Sequence, residues 1–157
     1  MLFRSQANDL VGRKLARDGG HAAQQLVAQM RALAGALSTE PKLAGVAPAL
    51  SAAIDALETA IRYVVENYAK DIRGVSVGAV PMLKLLGIVA GGWQLLRAGA
   101  ISQQRLAEPA LNTAEKGFHE AKILTARFYA DHVLAQAPGL AHSIVRGAAG
   151  ALAEGVL

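Results

Sequence analysis

The chain contains no cysteine. Disulfide frameworks, thiolate zinc sites, iron–sulfur clusters and cysteine nucleophiles are thereby excluded, and a reducing compartment is compatible with the composition. Aromatic residues make up only 4% of the chain and runs of β-branched residues are scarce. No run of Lys and Arg occurs, nor any basic stripe interleaved with aromatics. The net charge of +4 and pI of about 9.7 therefore do not point to a nucleic-acid partner. No apolar segment follows the first charges, so no secretory signal is read and a cytoplasmic location is expected. The most apolar stretch, Leu85 to Leu96 between Lys84 and Arg97, has 12 residues. A membrane span needs about 20, so this stretch reads as a buried helix.

What is present is helix-forming. The chain has 157 residues, 53% apolar and 18% charged, enough for one domain with a real core and too apolar for disorder. Much of the apolar content is Ala and Leu, both strong helix formers. The mean hydropathy, +0.30, is high for a helical bundle, and a further domain or subunit is expected to cover some apolar face.

Helical spacing organises the chain. A short helix fits Asp9 to Ala16, stopped by Asp18-Gly19-Gly20. A second, over His21 to Leu37, puts Leu26, Met30, Leu33 and Leu37 on one face, with Gln25 and Gln29 away from it. Ser38 to Val46, with Pro41 and Gly45, reads as a loop. The third helix, Ala47 to Lys70, carries the stripe Leu50, Ile54, Leu57, Ile61, Val64 and Tyr68. Its opposite side holds Asp55, Glu58, Arg62 and Glu66, with Glu58–Arg62 and Glu66–Lys70 at ion-pair spacing. Asp71 to Gly78 is a break in which Val75 to Val80 is conceivable as a strand, though without a partner. The fourth helix, Ala79 to Ala107, has Pro81 in its first turn and is apolar nearly all round, so it is predicted to be central. Its glycines, Gly87, Gly91, Gly92 and Gly99, each cost up to about 1 kcal/mol of helix propensity. Close approach of a neighbouring helix would offset that. After a loop around Pro109, Asn112 and Glu115 have capping-box spacing. The fifth helix, Gly117 to Ala137, is expected to bury Ala121, Leu124, Phe128 and part of His132. Pro138 interrupts it, and Gly139 to Ala153 forms a weaker terminal helix. The expected fold is all-α, an antiparallel bundle of four main helices with short flanking ones.

No constellation of catalytic residues stands out. Among His21, His119, His132 and His142, no pair is four apart and none forms Glu-x-x-His. A metal site from His119, Glu115 and His132 is the least favoured reading, beside partly exposed helix residues with His132 at a helix interface. Ser38, Ser102 and Ser143 lack the Gly-x-Ser-x-Gly elbow. No P-loop or dinucleotide fingerprint occurs, and Gly91-Gly92 lies inside a helical pattern. Glu58 and Glu66 sit on a solvated face and are not paired general acids. Arg127 and Asp131 have the spacing of a structural ion pair. Trp93 and Tyr129 read as core before they read as contacts to a partner or cofactor. No catalytic, cofactor-binding or metal-binding residue is assigned.

Four segments together carry a resemblance: QANDLVGRKLARDGG (Gln6 to Gly20), GAVPMLKLLGIVAGGWQLLRAGA (Gly78 to Ala100), FHEAKILTARFYADHVL (Phe118 to Leu134) and the Ala/Gly-rich tail. The chain resembles the C-terminal extension of a subgroup of bacterial acyl-CoA dehydrogenases, those resembling 3-methylmercaptopropionyl-CoA dehydrogenase. The resemblance implies that residues 6–20 end the catalytic helical domain and that residues 21–157 form a C-terminal bundle. It also implies that the catalytic glutamate of the parent enzyme, in a Glu-Gly-Thr turn, precedes Gln6 to Leu10. No Glu-Gly-Thr occurs here. FAD and acyl-CoA would be held by upstream domains, which would be this chain's partners within a homo-oligomeric parent. Membrane contact is not expected, and a peripheral membrane or partner-binding module is the alternative. Met1 to Ser5 departs from the family pattern and reads as a non-native leader on a truncated reading frame.

Overall fold

The computed structural model describes residues 2–153, with side chains from Ser5 onward. Met1 of the expected leader and residues 154–157 of the expected bundle lie outside that range. The α-helices run in the order α1 (Leu2–Asp9), α2 (His21–Leu37), α3 (Ala47–Asn67), α4 (Ile72–Val77), α5 (Ala79–Arg105), α6 (Thr113–His132), α7 (Ala137–Arg146) and α8 (Ala148–Ala151). The four long ones, α2, α3, α5 and α6, form the expected antiparallel bundle, and the described residues contain no strand.

The first helical stretch is longer than its periodicity suggested, because α1 continues as a π-helix over Leu10–Ala16. Ala7, Val11 and Leu15 lie four apart and are all buried. Gly12 lies against the Tyr68 hydroxyl, leaving no room for a side chain. Gly19 and Gly20 then end the stretch with φ of 65° and 79°, backbone angles that glycine adopts without steric cost. The Asp18 carboxylate accepts from the N–H groups of Gly20 (2.8 Å) and Ala22 (3.1 Å), which starts α2.

The core line of α2 is Val27, Met30, Ala34 and Leu37, while Leu26 and Leu33 sit at its edge. On α3, Leu50, Ile54, Leu57, Ile61 and Val64 are buried as their spacing predicts, with Tyr68 half-buried just past the helix end. The expected Glu58–Arg62 and Glu66–Lys70 pairs are not formed among the described residues. Arg31 reaches from α2 and binds both Asp55 (2.6 Å) and Glu58. A cation placed between two carboxylates gains more than one facing a single acid across a helix turn.

The conceivable strand at Val75 to Val80 is instead helical. With no neighbouring strand to bond, this backbone satisfies its groups locally, and the Asp71 side chain caps α4 by accepting from Gly74 N–H at 2.8 Å.

α5 is central, packing against α1, α3, α6 and α7. It is not enclosed on all sides, since Val80 and Ile101 are each 50% exposed. Both Ala44–Asn67 and Ala79–Arg105 are long and apolar enough to cross a membrane by length and composition. The 12-residue limit drawn at Lys84 and Arg97 therefore understates the apolar length of α5. Three of its glycines make the expected close approaches. A Cβ at Gly92 would lie 2.6 Å from Leu134, one at Gly91 2.9 Å from the Tyr129 hydroxyl, and one at Gly99 3.2 Å from Ala126. Gly87 faces open space.

The capping box forms: Asn112 accepts from Glu115 N–H, and Glu115 accepts from Asn112 N–H. It starts α6 at Thr113, four residues earlier than expected. The buried face of α6 also differs. Ile123, Ala126 and Ala130 are buried, whereas Ala121, Leu124, Phe128 and His132 are exposed. The reason lies in α5, whose Gly99 meets Ala126. Two helices that approach this closely admit alanine at the contact and turn the bulkier Leu124 and Phe128 outward. Pro138 does not break a helix but sits in the first turn of α7, where its missing N–H has no intrahelical partner to lose.

Candidate functional site

The fold scatters the residues that carried chemical interest. His119 and His132 are 13 residues apart on α6, which separates them by about 20 Å along the axis. Each also has a local partner. His119 Nδ1 lies 3.2 Å from the hydroxyl of Ser102, a buried polar residue on α5. His132 is exposed, away from the interface expected for it, and its ring lies 4.3 Å from that of Phe128. Glu115 is engaged in the capping box. Among the described residues, no three His, Asp or Glu side chains come together around one point.

Ser102 and His119 form the one serine–histidine contact among the described residues. It is a packed junction between α5 and α6 rather than a nucleophile facing a cleft. Nearby, Gln103 of α5 donates to the Glu40 carboxylate and its own carbonyl oxygen accepts from Lys42 N–H at 2.8 Å. These bonds tie the α2–α3 loop to α5. Ser38 and Ser143 hydroxyls bond to carbonyls of their own segments, Gly35 and Gly139.

Tyr129 and Trp93 resolve toward the core reading. The Tyr129 hydroxyl donates to the carbonyl of Ile88 at 3.2 Å and lies over Gly91. Burial pushes this phenol above its ordinary value, so it stays protonated and keeps donating. Trp93 is half-buried against the same core.

The charged surface holds one feature that helical spacing did not reveal. Glu58, and then Asp55, hold the Arg31 guanidinium charged by hydrogen bonding. The cluster borders an open groove between α2 and α3, lined by Gln24, Val27, Arg62, Val65 and Glu66. Its residues are 24 and 27 positions apart in sequence, so nothing local predicts it. Arg127 and Asp131, expected to pair, are both exposed and are not paired among the described residues.

Gly91 and Gly92 offer no phosphate cradle. They are interior to α5, under Tyr129 and Leu134, and their N–H groups serve the helix rather than an anion. Gly91 and Gly92 therefore do not form the turn that a dinucleotide fingerprint requires. The remaining distinctive surface is the outer side of α6, where Phe118, Leu124 and Phe128 are 58%, 64% and 62% exposed.

Comparison with known proteins bears on the whole chain rather than on a site. Residues 22–153 match the family described as acetyl-CoA dehydrogenase C-terminal like. The chain is also 34% identical over 132 residues to 3-methylmercaptopropionyl-CoA dehydrogenase of Ruegeria pomeroyi, an alignment covering 83% of this chain and 22% of that protein. The chain thus spans about a fifth of the length of the curated relative it matches. With the family match running from the start of α2 to the last described residue, the protein belongs to the acyl-CoA dehydrogenase C-terminal-like family.

Proposed function

We propose that this chain is a structural and interaction domain of an FAD-dependent acyl-CoA dehydrogenase-like enzyme and is not catalytic by itself. The family match over residues 22–153 carries this reading. In the parent enzyme a glutamate outside this chain would take a proton from the substrate Cα while hydride passes from Cβ to FAD. The chain would supply no group that touches substrate or cofactor. It would brace the catalytic helical domain, of which residues 6–20 would be the end, with α2 to α8 as the appended bundle.

Mixing the purified chain with the upstream catalytic portion of a homologue tests this. Co-elution, with stabilised or restored FAD-dependent acyl-CoA oxidation, is expected. A folded, soluble chain that never associates would refute it. A cytoplasmic location is part of the proposal, and recovery in a salt-washed membrane pellet would count against it.

The exposed apolar residues on α5 and α6 favour a second reading, a peripheral membrane module. Salt-sensitive flotation with anionic vesicles would support that reading. Against it stands the lack of a Lys/Arg-rich amphipathic face.

A further inference from the structure

The outer side of α6 is built as a contact surface in its own right. Gly117, Ala121, Leu124 and Phe128 fall at steps of four, three and four residues, within an arc of about 60° on a helix of 3.6 residues per turn. Ile123, Ala126 and Ala130 occupy the opposite side and face the bundle. The helix is therefore apolar on both sides, and only one of them is used within the described chain. Gly117 points the same way. It sits inside α6 at a propensity cost of up to about 1 kcal/mol, yet a Cβ there would meet nothing within 4 Å. Nothing in the described chain requires a glycine at that position.

The charges beside this stripe identify its occupant. Lys116, Glu120, Arg127 and Asp131 lie along one edge of it, reading plus, minus, plus, minus. All four are exposed, and none has an ion-pair partner among the described residues. The row is antisymmetric about its midpoint, between Ile123 and Leu124. Turned end over end about a two-fold axis, it sets Lys116 against Asp131 and Glu120 against Arg127 of a second copy. A two-fold relating antiparallel helices keeps the same edge on the same side, so these pairs meet directly. A midpoint one residue earlier relates the apolar stripe to itself, so with the ion pairs aligned Phe128 comes within about 3 Å, along the axis, of Gly117, and Leu124 equally near Ala121, an offset that the side chains can span.

We propose that α6 is a self-association surface. Two copies of this chain pack through α6 antiparallel, with Phe128 of each seated on Gly117 of the other and two kinds of ion pair along one rim. The rim carries two acids and two bases, so it does not select an anionic lipid surface. The pairing deepens the structural role proposed above and rests on it. Its test measures self-association alone, so failure there leaves attachment to the catalytic domains untouched.

Sedimentation equilibrium of the whole chain between about 10 µM and about 1 mM brackets the weak affinity expected of a single helix pair. A reversible shift from the monomer mass of 16.3 kDa toward twice that value is expected. Phe128→Glu should abolish dimerisation while leaving the monomer's helicity unchanged, because the residue is exposed. Arg127→Glu sets two glutamates against each other at both rim positions and should weaken the dimer at least about tenfold. The double variant Glu120→Arg/Arg127→Glu should restore it. Mixing the single variants Glu120→Arg and Arg127→Glu should likewise give a heterodimer tighter than either homodimer. A wild-type chain monomeric throughout the range would overturn the proposal, even if the same face bound vesicles or the catalytic portion. So would a dimer indifferent to Phe128→Glu, or one weakened by Arg127→Glu and not recovered by the double variant.

Discussion

Gly87 and Gly92 sit five residues apart on α5 and are opposite cases. A methyl group at Gly92 would be driven against the buried Leu134, 2.6 Å from its Cδ2 and 2.8 Å from its Cγ. Gly92→Ala should destabilise the protein by about 1–3 kcal/mol through overpacking. At Gly87 there is open space, so Gly87→Ala should gain up to about 1 kcal/mol of helix propensity. Thermal melts of the two variants should move in opposite directions. Asp18 makes a different single-residue prediction. The backbone N–H of Ala22, and then that of Gly20, hold its carboxyl below the ordinary value of 3.8. A depressed folded-state pKa contributes stability above the unfolded value, and that contribution is lost as pH falls through the folded one. Acid unfolding monitored by circular dichroism should therefore begin at higher pH in wild type than in Asp18→Asn, relative to each protein's neutral-pH stability.

At the scale of the element, α6 shows how a helix with two apolar sides is oriented by its neighbour. Either side satisfies the periodicity of a buried face. Ile123, Ala126 and Ala130 face inward because α5 presents Gly99 there and the two backbones approach closely. Ile123→Ala should cost about 2–5 kcal/mol, as deletion of buried methyl groups does. Phe128→Ser should change monomer stability by no more than about 0.5 kcal/mol. Urea titrations at a concentration where the chain is monomeric would separate the two. Comparable losses at both positions would mean that the inward face is wrongly placed. α4 makes the same point about context. Val75 to Val80 is β-prone by composition, and the Asp71 cap together with the lack of a partner strand makes part of it helical.

For the whole molecule, the relevant fact is that one hydrophobic core runs from Ala7 in α1 to Ile144 in α7. Residues before α2 and after α6 contribute to the same cluster as the four long helices. Unfolding should therefore be a single transition, with Trp93 fluorescence and far-ultraviolet dichroism giving coincident curves. An early loss of helicity while Trp93 remains buried would divide the molecule into separate units. The proposed roles belong to this scale too. A bundle whose buried side-chain polar atoms are all hydrogen-bonded among the described residues, and which keeps one apolar face of α6 outward, suits the proposed role of a brace between larger bodies.

Local chemistry alone determined much of this protein. Helical class, the ends of α2, the core stripe of α3, the Gly19–Gly20 stop and the Asn112–Glu115 cap all follow from propensity, period and turn chemistry, which act within a few residues. Family membership was legible as well, because whole segments carry it. Tertiary structure decided the questions that need two segments at once. These are which side of α6 is buried, which glycines meet a neighbour, and why Arg31 rather than Arg62 holds Glu58. Residues 24 to 27 positions apart meet only after the helices have packed. A periodicity that repeats along one helix carries no information about the shape of the surface it will face.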